Sequence, residues 1–233
     1  MMNVRYEEIA GMIDHSLLHP TLTDDQMEEG CLLARRLNVA SVCVKPCFVR
    51  RAKELLEGSD VRVGTTIGFP HGGHTTEVKR QEAVDACKNG AVELDMVVNI
   101  GKVLSEDWDY VMADIKAVRE VASEYSAILK VIFENCYLVD HHKIELCRIC
   151  SELGVDFVKT STGFGTSGAT DEDLELMRMH CSPSVQIKAA GGVRSLDRAI
   201  RVRELGCTRI GATATEKILA ELKARIREHQ EES

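Results

Sequence analysis

Three lysines stand at equal intervals inside short apolar stretches. Lys130 lies in Leu129-Lys130-Val131-Ile132, Lys159 in Phe157-Val158-Lys159-Thr160, and Lys188 in Gln186-Ile187-Lys188-Ala189. The differences 159 − 130 and 188 − 159 are both 29 residues. An ammonium group is costly to bury among apolar side chains, so each of the three needs a reason. Either it forms a structural ion pair with a carboxylate, or its pKa is lowered until the free amine can attack a carbonyl. Lys159 is the sharpest case, because there an apolar run gives way to Thr160-Ser161-Thr162-Gly163-Phe164-Gly165. A fourth polar residue, Asp95, sits in the similar run Glu93-Leu94-Asp95-Met96-Val97.

Magnitudes favour the reactive amine. A lysine starts near pKa ~10.4 and must fall by roughly 3 to be a useful amine at neutral pH. A second ammonium at about 5 Å, with an effective dielectric near 20, contributes about 3 kcal/mol toward that fall. Partial desolvation supplies the remainder. A carboxylate against Lys159 itself would act the other way. Asp95 is therefore expected to pair with Lys188, keeping that lysine charged while Lys159 becomes the nucleophile. A neutral lysine of this kind forms an imine with an aldehyde or ketone, and the imine is an electron sink for carbon–carbon cleavage. Asp95, Lys188 and a water are candidates for moving the proton at the adjacent carbon.

The lysines recur at one phase of a βα repeat, which leads to the elements that carry them. Short β-rich segments are expected at Met12–Leu17, Ala40–Val44, Val61–Ile67, Val92–Val97, Ile128–Phe133, Asp156–Lys159, Val185–Ala189 and Thr208–Ile210. Helices between them announce themselves by their caps. Thr23 with Gln26 and Thr170 with Asp173 form capping-box patterns. Ser105 and Asp107 precede a helix carrying Val111, Ile115 and Val118 on one face, and Ser195 opens another that Gly206 closes. Gly90 and Gly154 sit just past helix ends, where a left-handed residue is wanted. The last helix is expected from about Ala214 to Arg227, with a frayed tail over 228–233. Eight strands alternating with helices in 233 residues fit an α/β (β/α)8 TIM barrel, near the short end of its range. A doubly wound open sheet is less consistent, since no Gly-x-Gly-x-x-Gly follows the first strand. One domain is expected over 1–233, with an N-terminal helix over about 1–11.

Composition narrows the function classes. Hydrophobic residues make up 44%, enough for a sizeable core, and 37 acids against 29 bases give a formal charge of −8. With no basic cluster, this argues against nucleic acid as a partner. No apolar run approaches the roughly 18 residues of a membrane helix. The N-terminal residues lack the apolar core of a secretory signal, so the nine cysteines are expected as reduced thiols in a cytoplasmic protein.

In a barrel of this kind the strand ends and following loops form the reactive face. Gly163 and Gly165 follow one strand, Gly191-Gly192 the next, and Gly211-Ala212-Thr213 the last. Glycines there free backbone N–H groups at helix N-termini, a ready phosphate site, and beside the lysines they point to a sugar phosphate. Other signals are set aside. His71-Gly72-Gly73-His74, with His15 or His19, suggests a metal clip, but no acidic or thiolate set accompanies it and no metal is expected. Cys147-Arg148-Ile149-Cys150 lies mid-helix, where packing rather than redox chemistry is its role. Cys43 is different, because its strand can aim the thiol into the pocket, within reach of aldehydes.

The motifs Ile13-Asp14-His15-Ser16-Leu17-Leu18, Val42-Cys43-Val44-Lys45-Pro46, Ile67-Gly68-Phe69-Pro70 and Thr75-Thr76-Glu77-Val78-Lys79 resemble those of the deoxyribose-phosphate aldolases, class I aldolases of the DeoC type. So do Glu93-Leu94-Asp95-Met96-Val97-Val98-Asn99, Lys130-Val131-Ile132, the Lys159 stretch and Lys188-Ala189-Ala190-Gly191-Gly192-Val193-Arg194. The resemblance spans about Ile13 to Leu222. It implies reversible cleavage of 2-deoxy-D-ribose 5-phosphate to D-glyceraldehyde 3-phosphate and acetaldehyde, without cofactor, in a homodimer or homotetramer. It further implies Lys159 as the Schiff-base lysine, Asp95 as the proton-relay acid and Lys188 as the tuning lysine. Asp14, Cys43 and Lys130 match polar pocket positions; Thr162, Gly163, Gly191, Gly192, Gly211 and Thr213 match substrate and phosphate loops. Ala214, His71, His74, Lys45 and Asn135 depart from the family's usual residues, and no tyrosine ends the chain. Two other readings remain: a sugar-phosphate-binding barrel without turnover, and an imine-forming aldolase with a different donor.

Overall fold

A computed structural model describes residues 4–231. Eight parallel strands close on themselves in sequence order. They are β1 (Ile13–Leu17), β2 (Ser41–Val44), β3 (Arg62–Ile67), β4 (Glu93–Val97), β5 (Ile128–Ile132), β6 (Phe157–Lys159), β7 (Gln186–Ala190) and β8 (Arg209–Ala212). The helices in the first half are α1 (Tyr6–Ala10), α2 (Asp24–Leu37), α3 (Val49–Leu55), α4 (Thr76–Lys88) and α5 (Ile100–Leu104). Those in the second half are α6 (Trp108–Glu124), α7 (Asp140–Glu152), α8 (Asp171–His180), α9 (Leu196–Glu204) and α10 (Thr215–Glu231). The chain is thus a (β/α)8 TIM barrel, as its sequence pattern implies.

Alternation along the strands sorts the side chains. Val42, Val44, Leu94, Met96, Leu129, Val131, Val158, Ile187 and Ile210 are fully buried and belong to the continuous apolar layer between sheet and helices. The residues between them point to the barrel axis and are largely polar. The apolar layer follows from helices that are amphipathic in the expected register. Val111, Ile115 and Val118 of α6 are buried, as are Cys147 and Cys150 of α7, which pack rather than react.

Most caps are where the residue types put them. Thr23 Oγ1 accepts from Gln26 N at 3.3 Å, while Thr23 N donates to Gln26 Oε1 at 3.1 Å, a reciprocal box. Gly90 and Gly154 carry φ of 106° and 61° past α4 and α7. Thr170 is different. It accepts from Asp173 N at 3.1 Å, but the Asp173 carboxylate turns to Lys143 Nζ at 2.6 Å. A charged partner on α7 outbids the backbone, so only half the expected box forms. The final helix also departs from expectation, starting at Thr215 and continuing to Glu231 rather than ending near Arg227. Of the expected N-terminal helix, Tyr6–Ala10 is helical; residues 1–3 and 232–233 lie outside the described residues. No described helix is long and apolar enough to cross a membrane.

Candidate active site

The barrel interior holds a stack of charges contributed by neighbouring strands. Lys159 on β6 and Lys188 on β7 are register partners, and the register partner of Lys188 on β8 is Arg209. Lys130 pairs with Phe157, two residues before Lys159. Equal spacing in sequence therefore does not put the three lysines in one register row: Lys130 pairs with Asp95 on β4, and the residue opposite Lys159 on β5 is Ile132. All three are buried, Lys159 being 3% exposed. Asp95 Oδ2 accepts from both Lys188 Nζ (2.7 Å) and Lys159 Nζ (2.8 Å), and its Oδ1 from Lys130 Nζ (2.9 Å). The expectation that Asp95 serves Lys188 alone is corrected, because a carboxylate in a ring of cations is reached from several strands at once.

The anions are also more numerous than the sequence suggested. Glu93, two residues before Asp95 and so on the same face, binds Lys130 at 2.6 Å and Arg209 at 2.8 Å. Asp14 Oδ2 lies 2.6 Å from Lys188 Nζ and 3.0 Å from Lys130 Nζ, contacts whose angles make them ion pairs rather than hydrogen bonds. Its other oxygen pairs with Arg209. Lys130, Lys159, Lys188 and Arg209 thus face Asp14, Glu93 and Asp95.

The cluster pulls its lysines apart. Burial lowers the Lys159 pKa, Asp95 opposes that, and the neighbouring Lys188 adds to it; the net direction is down. Burial acts on Lys188 too, but Asp14 and Asp95 overcome it and its pKa is raised. Lys130, touching three carboxylates, is raised well above the ordinary value against the same burial. Asp95 is held ionised: burial would raise it, but Lys130, Lys159 and Lys188 drive it well below the carboxylate range. The Cys43 thiol, buried and facing Asp95, is pushed up to about 11 and is poor in thiolate at neutral pH.

Above Lys159 opens a cavity of about 420 Å³. Lys159 lies on its floor, with Thr162 and Gly163 from the loop after β6, Gly191 and Gly192 after β7, and Gly211 and Thr213 at the end of β8. Seven of the residues singled out in the sequence are therefore brought together. Asp95, Lys188, Lys130, Asp14 and Cys43 do not line this cavity; all are buried in the barrel interior. Ser16 and Arg194 line it without being candidates from the sequence, and so does His19, which the sequence offers only for a metal clip. Ser16 was readable, since it stands two residues after Asp14 on the same strand face. His71 and His74 are exposed, and His15 instead faces outward to Thr215 Oγ1 at 2.8 Å. Lys45 has a structural use: its Nζ donates to the carbonyls of His19 (3.3 Å) and Leu22 (3.2 Å), tethering the loop after β1.

Two devices hold the cavity's loops. Gly191 has φ of 77°, and a Cβ there would come within 2.7 Å of Gly168 Cα, so only glycine allows the two loops to touch. Glu134, buried after β5 and itself left-handed (φ 58°), accepts from Thr162 N at 3.2 Å and pairs with the Thr162 hydroxyl. Losing a charged hydrogen bond there costs about 1.5–3 kcal/mol. A Glu134→Gln variant is accordingly expected to speed amide hydrogen exchange over residues 162–165 by roughly 10- to 100-fold. Hydrogen-exchange mass spectrometry measures this directly, and unchanged exchange would show that Glu134 does not hold the loop.

The chain is similar to known proteins along most of its length. Residues 9–214 match the model of the DeoC/LacD family aldolases. A deoxyribose-phosphate aldolase from Rhodopirellula baltica is 52% identical over 97% of this chain and 94% of its own length. One from Caldanaerobacter subterraneus is 49% identical over 92% of this chain and 94% of its own. Among solved structures, the deoxyribose phosphate aldolase from Aeropyrum pernix, described as a unique tetramer, superposes with a TM-score of 0.88 at 29% identity. That likeness covers 95% of this chain and 93% of the other.

Proposed function

The chain belongs to the DeoC/LacD family of aldolases, and from that premise we infer that it is a class I aldolase. It reversibly cleaves 2-deoxy-D-ribose 5-phosphate to D-glyceraldehyde 3-phosphate and acetaldehyde. The observation that carries the chemistry is the lysine pair: one amine on the cavity floor with a lowered pKa, beside another held charged by two carboxylates.

The roles follow from the charges. Lys159 Nζ attacks the aldehyde carbon C1 of the open-chain sugar, and loss of water gives the imine. A base takes the C3 hydroxyl proton, the C2–C3 bond breaks, and its electrons move to C2 and the imine nitrogen. Glyceraldehyde 3-phosphate leaves; C2 is protonated and water releases acetaldehyde. We assign the proton shuttle to Asp95 and Lys188, through the water that imine formation liberates. Imine formation leaves the nitrogen with at most one hydrogen for Asp95 Oδ2, which raises that oxygen's proton affinity at the step that needs it. The electron sink is the imine, so the scheme calls for no metal or organic cofactor.

The phosphate is assigned to the far side of the cavity. Gly163, Gly191, Gly192, Gly211, Thr213 and Arg194 all line the cavity, and we assign the phosphate to their backbone N–H groups, hydroxyl and guanidinium. Asp14, Lys130 and Cys43 are placed beneath the substrate, shaping the field rather than touching the phosphate. We further propose that the chain works as one domain and as a homo-oligomer, the tetramer described for the Aeropyrum pernix enzyme being one precedent. Nine unpaired thiols support a cytoplasmic setting.

The test is chemical. With acetaldehyde and borohydride, an ethyl group is expected on Lys159 by mass spectrometry, and dihydroxyacetone or pyruvate as donors should leave far less adduct. A protein that only binds sugar phosphates would show none with any donor.

A further inference from the structure

We propose that Arg209 is a positioning residue: its charge, delivered through Glu93 and Asp14, fixes the proton count of the buried cluster and with it the pH at which Lys159 reacts. The inference rests on the aldolase reading and extends it to the opposite mouth of the barrel. Arg209 Nη2 and Nη1 bind Glu93 at 2.8 and 3.1 Å, and Nη1 also pairs with Asp14. The guanidinium lies 5.7 Å from the Phe157 ring centroid and lines a cavity of about 260 Å³ with Gly11, Asn38, Asp60 and Arg62. That cavity lies at the N-terminal ends of the strands, while Lys159 faces the C-terminal ends. A continuous chain of ion pairs, Arg209–Glu93–Lys130–Asp95–Lys159, joins the two.

Counting charges shows why the far end matters. Four buried cations face three carboxylates, and a buried net charge is costly. The cluster is neutral only if one cation gives up its proton. Arg209 cannot. Lys130 touches Asp14, Glu93 and Asp95, and Lys188 touches Asp14 and Asp95. Lys159 touches Asp95 alone, and shares it. The missing proton therefore falls on Lys159. Beside Lys159 stands the Cys43 thiol from β2, and at the rim of the N-terminal mouth Arg62 from β3 reaches Glu93 at 3.4 Å but is 52% exposed and counts weakly. On the cavity side stand His19 and Arg194, with Glu134 bonded to Thr162 behind the loop. Neutralising Arg209 leaves three cations on three carboxylates, and Lys159 can then keep its proton.

The experiment reads the pH dependence of borohydride-trapped imine formation with acetaldehyde. Arg209→Gln should move the acid limb alkaline by roughly one pH unit, a tenfold change in proton affinity. Glu93→Gln should move it to lower pH, because two cations are then in surplus. The double variant should return near wild type, and Arg209→Lys, which keeps the charge, should restore it. If Arg209→Gln does not fold, Glu93→Gln and the half-exposed Arg62→Gln carry the test, with an acid and a smaller alkaline displacement. A limb that stays put in folded variants, or moves the same way in Arg209→Gln and Glu93→Gln, overturns the proposal. A purely structural role would lower the amount of active enzyme without moving the limb. Absence of any wild-type adduct on Lys159 overturns the aldolase reading itself, and this inference with it.

Discussion

Lys159→Met is expected to abolish imine trapping and to lower kcat by roughly 10⁴-fold or more, about 5.5 kcal/mol of barrier. Methionine has nearly the length of lysine and no nucleophile, so nothing else in the cavity replaces the lost chemistry. Stability separates this loss from misfolding. The variant leaves Lys130, Lys188 and Arg209 against Asp14, Glu93 and Asp95, with charges matched. Its melting temperature should therefore equal or exceed that of the wild type, since a buried amine has been exchanged for a well-packed thioether. Lys159→Arg makes the contrasting case. It also loses the nucleophile, but it fixes a fourth permanent cation in the cluster and should melt lower. Residual turnover in Lys159→Met above about 1% of wild type would assign the imine to another amine.

Lys188→Met tests the other half of the pair. Lys188 shares Asp95 Oδ2 with Lys159 and holds Asp14 at 2.6 Å. Removing it takes away the ammonium that helps lower Lys159, and leaves Asp95 free to stabilise the Lys159 proton. At neutral pH kcat should fall by roughly 10²–10⁴-fold, the span of general acid–base effects. The sign of the pH response follows from the same contacts. Lys159 acts as its free base, so a raised pKa means activity is lost at low pH and recovered as pH rises through the new value. Part of the deficit should be regained at alkaline pH, and the remainder is the missing proton relay. A uniform loss at every pH would confine Lys188 to the relay and remove its electrostatic role.

Much of this site is legible in the amino-acid sequence. Lysines 29 residues apart, each in an apolar run followed by glycines, specify strand ends of a repeating βα unit, because few other settings tolerate them. What could not be read was who touches whom. Asp95 was expected on one lysine and binds three, since strand pairings bring β4 against β5 and the closed interior brings β6 and β7 within reach. Lys130 shares one phase of the βα repeat with its fellows in sequence, whereas hydrogen-bond register sets it two residues before the position opposite Lys159. Glu93 carried a usable signal, lying two residues from Asp95 on a strand, yet it reads as an ordinary acid until Arg209 is opposite. Arg209 carried almost none: the short segment Thr208–Ile210 looks like a strand with a solvated end, and only barrel closure turns that guanidinium inward.

The strands present apolar side chains to the helices and charged ones to the axis. Cohesion and reactivity are thereby stored in separate compartments, an outer shell that is greasy and an inner lumen that is ionic. Swaps within the lumen that preserve its sum of charges need not disturb the shell, so this scaffold should accept new donors and acceptors by exchanging the contents of its bore.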